Sequence, residues 1–248
     1  MQIYNEDCFQ VMDRLNDASI DIIITSPPYN IGIEYEEYDD NKPYEEYLQW
    51  ITEWVIKAKR ILKSKGSLFI NIGSKPTMPW ISMDVANVIR KYLILQNNIV
   101  WVKSIALNDE INFGHIKPIN SKRFLSNAYE SIYHFTKTGN VEIDRLAVGI
   151  KYADKSNINR WNNKIDKRCR GNVWYIPYPT IKQKRSHPAI FPEQLVEMCI
   201  KLHGTEINLV MDPFMGIGTT LSVCKRLGID FIGCEIDKKY FNIVKYIL

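Results

Sequence analysis

The chain has 248 residues, 46% of them hydrophobic, 24% charged and 12% aromatic, with a formal net charge of +4. That length suits one large α/β domain with a small insertion, and the composition excludes a disordered chain. Apolar runs stop short of the roughly 20 residues that span a bilayer, and "MQIYNEDCFQ" has neither region of a secretion signal, so a cytoplasmic protein away from membranes is expected.

In chain order, Asp7 precedes "CFQVMDRL" as a helix N-cap would. "IDIIIT" (20–25) reads as a buried strand that runs straight into Ser-Pro-Pro-Tyr. Two adjacent prolines end a strand, because neither has an N–H for the ladder. A tight loop with an aromatic lid is the plain reading of that stop. "KPYEEYLQWITEWVIKAKRILKSKG" (42–66) is predicted as an amphipathic helix with Pro43 at its start. Leu48, Ile51, Val55, Ala58 and Leu62 make its apolar stripe, and lysines and Gly66 close it. Trp50 and Trp54 flank the stripe and read as core.

"GSLFINI", "NNIVWVK" and "ESIYHFT" follow as strands. From 147 to 185 the periodicity fails, with Gly171, Pro177 and Pro179 as breakers. That span reads as an irregular insert outside the sheet, with Trp161, Trp174 and Tyr175 as its small core. "FPEQLVEMCIKLHG" is a helix bounded by Pro192 and Gly204; "NLVMD", a helix opening in "GIGTTLSVCKRLG" and the strand "DFIGCE" complete the chain. Short β-branched runs alternating with helical patterns predict a mostly parallel sheet covered by helices.

Charge is unevenly spread. Residues 151–185 hold ten Lys/Arg against two Asp, a local +8 that leaves −4 for the rest of the chain. Such a block suggests a polyanion partner, the alternative being a solvated lysine-rich face. The five cysteines (Cys8, Cys169, Cys199, Cys224, Cys234) show no C-x-x-C spacing, which argues against a zinc site or disulfides and for a reducing setting.

"LVMDPFMGIGTT" (209–220) is a strand, a glycine turn and a helix start. Gly216 and Gly218 let backbone approach a ligand, and the helix offers free N–H groups. Glu235 stands at the next strand end, 17 residues past Gly218, where a carboxylate can bind both hydroxyls of a ribose. Leu221 occupies the place of a third glycine, so a single nucleoside is favoured over a dinucleotide. Asp212, just before the turn, is placed for an ammonium group. A ribose, an amino group and a glycine wall fit S-adenosyl-L-methionine; otherwise Glu235 is a surface carboxylate.

Together "TSPPY", "HPAIFP", "DPFMGIGTT" and "GCEID", in that order, resemble the exocyclic-amino DNA methyltransferases of the permuted class whose catalytic motif comes first. The resemblance covers the chain except the basic insert. It implies an α/β fold with a Rossmann-like class I methyltransferase sheet, mostly parallel with an antiparallel edge strand, circularly permuted. Residues 1–146 would be the catalytic part, 147–185 a target-recognition insert and 186–248 the cofactor-binding part. The N-terminal "MQIYNEDCF" would supply the strand beside that of Glu235, bringing the two chain ends together.

The resemblance also assigns roles. Ser26, Pro27, Pro28 and Tyr29 would be catalytic. Asp7, Cys8 and Phe9 would surround the adenine. Thr25, Asp212, Pro213, Phe214, Gly216, Gly218, Thr219, Thr220, Glu235 and Ile236 would complete the cofactor site. His187 would close over the methionine end of the cofactor, or serve as a plain helix-entry residue. Arg160, Lys164, Lys167, Arg168 and Arg170 would contact DNA phosphates, and 104–124 would supply a second DNA-facing wall. The implied partners are double-stranded DNA and a companion restriction endonuclease, for a monomer or homodimer.

The chemistry answers why a strand should stop at Ser-Pro-Pro-Tyr. A ring amino group is a poor nucleophile, because its lone pair is delocalised. Ser26 Oγ and the Pro27 carbonyl can accept its hydrogens, while Tyr29 stacks on a base flipped from the duplex. Transfer is then direct, governed by positioning and electrostatics. None of the cysteines follows a proline, so attack on the ring carbon is not expected. Within the resemblance S-P-P-Y points to cytosine N4 and D-P-P-Y to adenine N6. A silent DNA-binding module and an RNA or small-molecule methyltransferase are the remaining readings.

Overall fold

The chain is described here from a computed structural model, over residues 1–33, 37–106, 109, 111–114, 119–162, 164–177 and 191–247, with the side chains of 161 and 162 set aside. It opens with β1 (Gln2–Tyr4) and α1 (Cys8–Arg14), where Asp7 is indeed the cap, its carboxylate accepting the Phe9 N–H at 2.7 Å. All six residues of β2 (Ile20–Thr25) are buried, as in a strand covered on both faces.

The long helix α2 (Tyr44–Ile61) passes into β3 (Leu62–Ile72) with no intervening residue. Residues 62–66, predicted as helix, are therefore strand. Sheet register decides this: Leu62 pairs with Ile20, and the ladder resumes at Ile22 and Ser67 after an irregularity. A Cβ on Gly66 would stand 2.8 Å from the Leu62 side chain, so glycine serves a tight bend here.

Next come α3 (Ile81–Ile89), β4 (Ile94–Val102), the small hairpin β5 (Ser104–Ala106) and β6 (Asn112–Gly114), and β7 (Tyr129–Thr136). A 3-10 helix (Lys155–Asn162) and β8 (Val173–Tyr175) lie within the basic insert. The chain closes with α4 (Glu193–Leu202), β9 (Leu209–Asp212), α5 (Thr219–Leu227), β10 (Asp230–Cys234) and α6 (Lys238–Val244).

One eight-stranded sheet has the order β1-β10-β9-β2-β3-β7-β4-β8. Its pairings are parallel except those of β7, which runs antiparallel to both β3 and β4. The N-terminal strand lies against β10 as expected, Gln2 opposite Ile232 and Tyr4 opposite Cys234. Side chains of α1, α2 and α3 pack on one face of the sheet and those of α4, α5 and α6 on the other. This is a mixed α/β sheet, mostly parallel, with its antiparallel strand toward the β8 side.

The insert is not wholly outside the sheet. Val173, Trp174 and Tyr175 pair with Val100, Trp101 and Val102, covering the edge of β4 that faces away from β7. Trp174 belongs to the main core beside Trp101 and Ile99, and its indole N–H donates to the Gly171 carbonyl at 3.1 Å. Tyr175 sits edge-on to Phe113 at 6.3 Å, so the insert touches the β5–β6 hairpin.

Candidate active site

Parallel strands β1, β10, β9, β2 and β3 all end on one side of the sheet, and the order reverses between β9 and β2. A crevice at such a reversal is where open α/β sheets bind ligands. A cavity of about 470 Å³ lies there, lined from the ends of β1, β2, β9 and β10 and from Lys103 and Glu130.

The glycine turn after β9 forms one wall. Gly216 has φ +53° and donates its N–H to Glu235 Oε2 at 2.9 Å; the Asp237 N–H meets Glu235 Oε1 at 2.8 Å. Each carboxylate oxygen thus spends one lone pair on backbone and keeps another for a ligand hydroxyl. Burial pushes the Glu235 carboxyl up to about 7; the two backbone N–H groups oppose this, and Asp237 and Asp212 add to it. Pro213, Phe214, Thr219 and Ile236 line the same wall, as do Asp7 and Cys8 after β1.

Five of the expected cofactor residues stand elsewhere. Asp212 is 1% exposed and faces its own fold, accepting from Thr25 Oγ1 and Thr220 Oγ1, both at 2.7 Å, and from the Phe214 N–H at 3.1 Å. Burial raises its carboxyl to about 6 against the pull of those three donors. Asp212, Thr25 and Thr220 are therefore a buried brace joining β9, β2 and α5, and not an ammonium site. Gly218 has φ +82°, and a Cβ there would meet Val244 at 3.1 Å, so it answers to helix packing. Phe9 lies behind the wall, 6.0 Å from the Trp50 ring. His187 falls outside the described residues; Phe191, just after it, lines the cavity.

The Ser26–Tyr29 loop forms the facing wall. Tyr47, buried in α2, donates its hydroxyl to the Pro28 carbonyl at 3.0 Å and holds the loop against the helix. Asn30 follows with φ +55°, and the buried Asp40 carboxylate accepts the N–H groups of Asn30, Ile31 and Ile33, which keeps Ile31 and Ile33 on the cavity. Ser26 Oγ and the Tyr29 hydroxyl are 2.8 Å apart. Burial holds the Tyr29 phenol far above its usual range, with the Glu130 charge adding to the effect, so it keeps its proton.

Several lining residues were not singled out from the sequence. Trp50, expected in the core, lines the cavity and is the hub of an aromatic cluster with Phe9, Tyr38, Tyr47 and Phe214. Lys103 and Glu130 pair at 2.7 Å on its floor. Their one sequence signal is position: a charge directly after β4 and another at the start of the antiparallel β7 fall at the same end of the sheet.

Among the described residues, the basic insert contributes no cavity residue. Arg160, Lys164 and Arg168 are exposed, and Lys167 is half-buried. Arg170, also half-buried, donates Nε–H to the Val148 carbonyl at 3.0 Å and so braces the insert. Lys155 pairs with Asp166 at 2.7 Å. Among the described residues, no group of His, Cys, Asp and Glu could hold a metal ion, and no helix is long and apolar enough to cross a membrane.

A family model described as DNA methylase matches residues 20–246. Type II methyltransferase M.BglII of Bacillus subtilis is 33% identical over 272 residues, spanning 100% of this chain and 68% of that protein. Among solved structures, PvuII DNA methyltransferase (cytosine-N4-specific) superposes with a TM-score of 0.72 at 19% identity, covering 99% of this chain and 85% of that one. The M1.HpyAVI–SAM complex gives a TM-score of 0.59 at 25% identity, covering 100% and 99%.

Proposed function

The chain belongs to the DNA methylase family of N6/N4 amino-methyltransferases, and on that premise we propose that it methylates the exocyclic amino group of a base flipped from duplex DNA, with cytosine N4 as the target. The observation that carries this reading is the shared cavity: the Ser26–Tyr29 loop and the Gly216–Glu235 wall face the same 470 Å³ space.

The cofactor is S-adenosyl-L-methionine, which when bound supplies an electrophilic methyl group. The residues present fit it. Glu235 has one acceptor lone pair per oxygen left for a ribose diol, Asp7 and Cys8 line the space next to it, and Gly216 leaves backbone bare. Opposite that wall, Ser26 Oγ and the Pro27 carbonyl accept the amino hydrogens and bring the nitrogen lone pair out of conjugation. Tyr29 offers its ring to the base.

Cytosine is favoured because Ser26 is neutral beside the acceptors O2 and N3, and because Lys103 balances the Glu130 carboxylate next to Tyr29. Adenine N6 is the second reading within the same family. Residues 147–185 are read as the target-recognition insert, with Arg160, Lys164 and Arg168 on phosphates; a companion endonuclease recognising the same site belongs with that role.

Incubation of the protein with duplex DNA and methyl-labelled cofactor, followed by nucleoside analysis, tests the assignment. N4-methylcytosine is expected. N6-methyladenine would keep the class and overturn the base; absence of label in DNA would overturn the function.

A further inference from the structure

On the floor of the cavity five side chains from four segments form one hydrogen-bonded chain: Lys103, Glu130, Asn71, Tyr29 and Ser26. Lys103 Nζ donates to Glu130 Oε1 at 2.7 Å. Asn71 Nδ2 donates to Glu130 Oε2 at 2.7 Å and to the Tyr29 oxygen at 2.9 Å. The Tyr29 hydroxyl lies 3.3 Å from Glu130 Oε2, 3.2 Å from the Asn71 carbonyl and 2.8 Å from Ser26 Oγ.

We propose that Glu130 is a positioning residue for methyl transfer, which sets the direction of the Tyr29 and Ser26 hydroxyls so that Ser26 Oγ meets the target amino group as a pure acceptor. The proposal rests on the amino-methyltransferase reading above and adds to it a residue that does not touch the base.

Donor and acceptor rules carry the argument. A carboxylate only accepts, so Asn71 must turn its amide hydrogens toward Glu130; the reverse orientation would set two oxygens 2.7 Å apart. With one Asn71 hydrogen on Glu130 and the other on Tyr29, the phenol oxygen is an acceptor. The phenol keeps its proton and must aim it at one of the remaining acceptors. A hydrogen bond to a carboxylate is about twice as strong as one between neutral groups. The Tyr29 proton therefore goes to the Glu130 carboxylate and the Asn71 main-chain carbonyl, and Ser26 donates its own hydrogen to Tyr29. Both lone pairs of Ser26 Oγ are left for the amino hydrogens. With the polarity reversed, the Ser26 hydrogen would point at an N–H and oppose the approach.

Two further observations show that the fold accepts a cost for this arrangement. Asn71 Oδ1 is buried without a hydrogen-bond partner among the described residues, a loss tolerated when both amide hydrogens are needed on the other side. Gly73 follows β3, and a Cβ there would stand 3.1 Å from Glu130 Cγ and 3.2 Å from Tyr29 Cε2. The backbone has been cleared so that these two side chains can meet.

The test is a double-mutant cycle on single-turnover methylation of duplex DNA, with cofactor affinity measured by calorimetry. Glu130→Gln should slow transfer on the order of a hundredfold with cofactor affinity unchanged. Tyr29→Phe breaks the same chain while keeping the ring, and adding Glu130→Gln to it should cost no more than a few-fold further. Losses that multiply in the double variant, or an E130Q protein as fast as wild type, would overturn the proposal. If thermal melting shows E130Q unfolded, the pair Tyr29→Phe and Ser26→Ala decides instead: Y29F should be nearly silent on the S26A background, and multiplying losses refute the chain. Wild-type protein that labels no DNA would sink the methyltransferase reading itself, whereas an active wild type with multiplying losses sinks only the role of Glu130.

Discussion

Glu235 accepts the Gly216 N–H at 2.9 Å, tying the end of β10 to the turn after β9. Burial of this carboxylate, which that bond only partly offsets, makes the wall sensitive to pH. Glu235 titrates near 7 in the folded protein, above its ordinary range, because burial disfavours the charge. A raised carboxyl pKa means that this group destabilises the free fold as pH rises from the usual carboxylate range through about 7. Cofactor binding runs the other way, since the ionised form offers one more acceptor.

Cofactor affinity is therefore expected to weaken as pH falls from 8 to 6. Glu235→Ala should lose about 1.5–3 kcal/mol of binding at pH 8 and show a flat profile, with the fold retained. Calorimetry at several pH values checks this. Equal wild-type affinity at pH 6 and pH 8 would remove Glu235 from the binding reaction.

The Asp212 brace should show up in stability and not in the cofactor's ammonium recognition. Thr220→Val removes one donor at 2.7 Å from a buried carboxylate and is expected to cost about 1–3 kcal/mol in denaturant unfolding. Because Asp212 is raised to about 6, its contribution falls as pH climbs from 4 to 7. The difference in stability between wild type and Asp212→Asn should change over that window and be constant above it. A constant difference throughout would contradict the burial argument.

Tyr29→Ala removes both a stacking ring and a link of the floor network. Turnover should drop far more than cofactor affinity, with base stacking alone accounting for about 1–3 kcal/mol. Ser26→Ala should slow single turnover while leaving DNA and cofactor binding close to wild type. An S26A protein transferring methyl at the wild-type rate would rule out serine as an essential acceptor.

The insert permits a contrast between two neighbouring arginines. Arg168 is exposed, so Arg168→Ala should flatten the plot of log K against log salt by about 0.9. Arg170 is engaged with the Val148 carbonyl, so Arg170→Ala should lower the melting temperature instead. If several exposed cations are neutralised with no change in salt slope or site preference, the insert is a solvated face and recognition belongs to 104–124.

Proline and glycine carry backbone conformation in their identity, which is why the stop after β2 and the turn at Gly216 are legible in the sequence. The six strands read from β-branched runs are present for a similar reason, since buried central strands admit little else. The α2–β3 junction is not legible. Leu62 extends the helical stripe by one step, and only its pairing with Ile20 turns it into strand. Asp212 stands in a motif that suggests a ligand contact, yet its direction depends on Thr25, 187 residues away. Glu130 and Asn71 are 59 residues apart, and nothing local distinguishes them from ordinary polar residues at strand ends.

The pairing of β1 with β10 has a consequence for how the molecule is made. Met1 and Asp230, whose amino terminus and carboxylate lie 3.3 Å apart, are separated by 229 positions. On a ribosome adding about 5–20 residues per second, the first strand waits on the order of tens of seconds for the strand it pairs with. Asp7 and Cys8 emerge early but have no Glu235 to face until some 227 further residues have been added. Nascent chains arrested before 230 should carry the Ser26–Tyr29 loop on a formed β2–β3 pair and retain no cofactor. Acquisition of that ligand would then report that the growing chain has passed residue 235, and a nascent chain short of that point would transfer no methyl group.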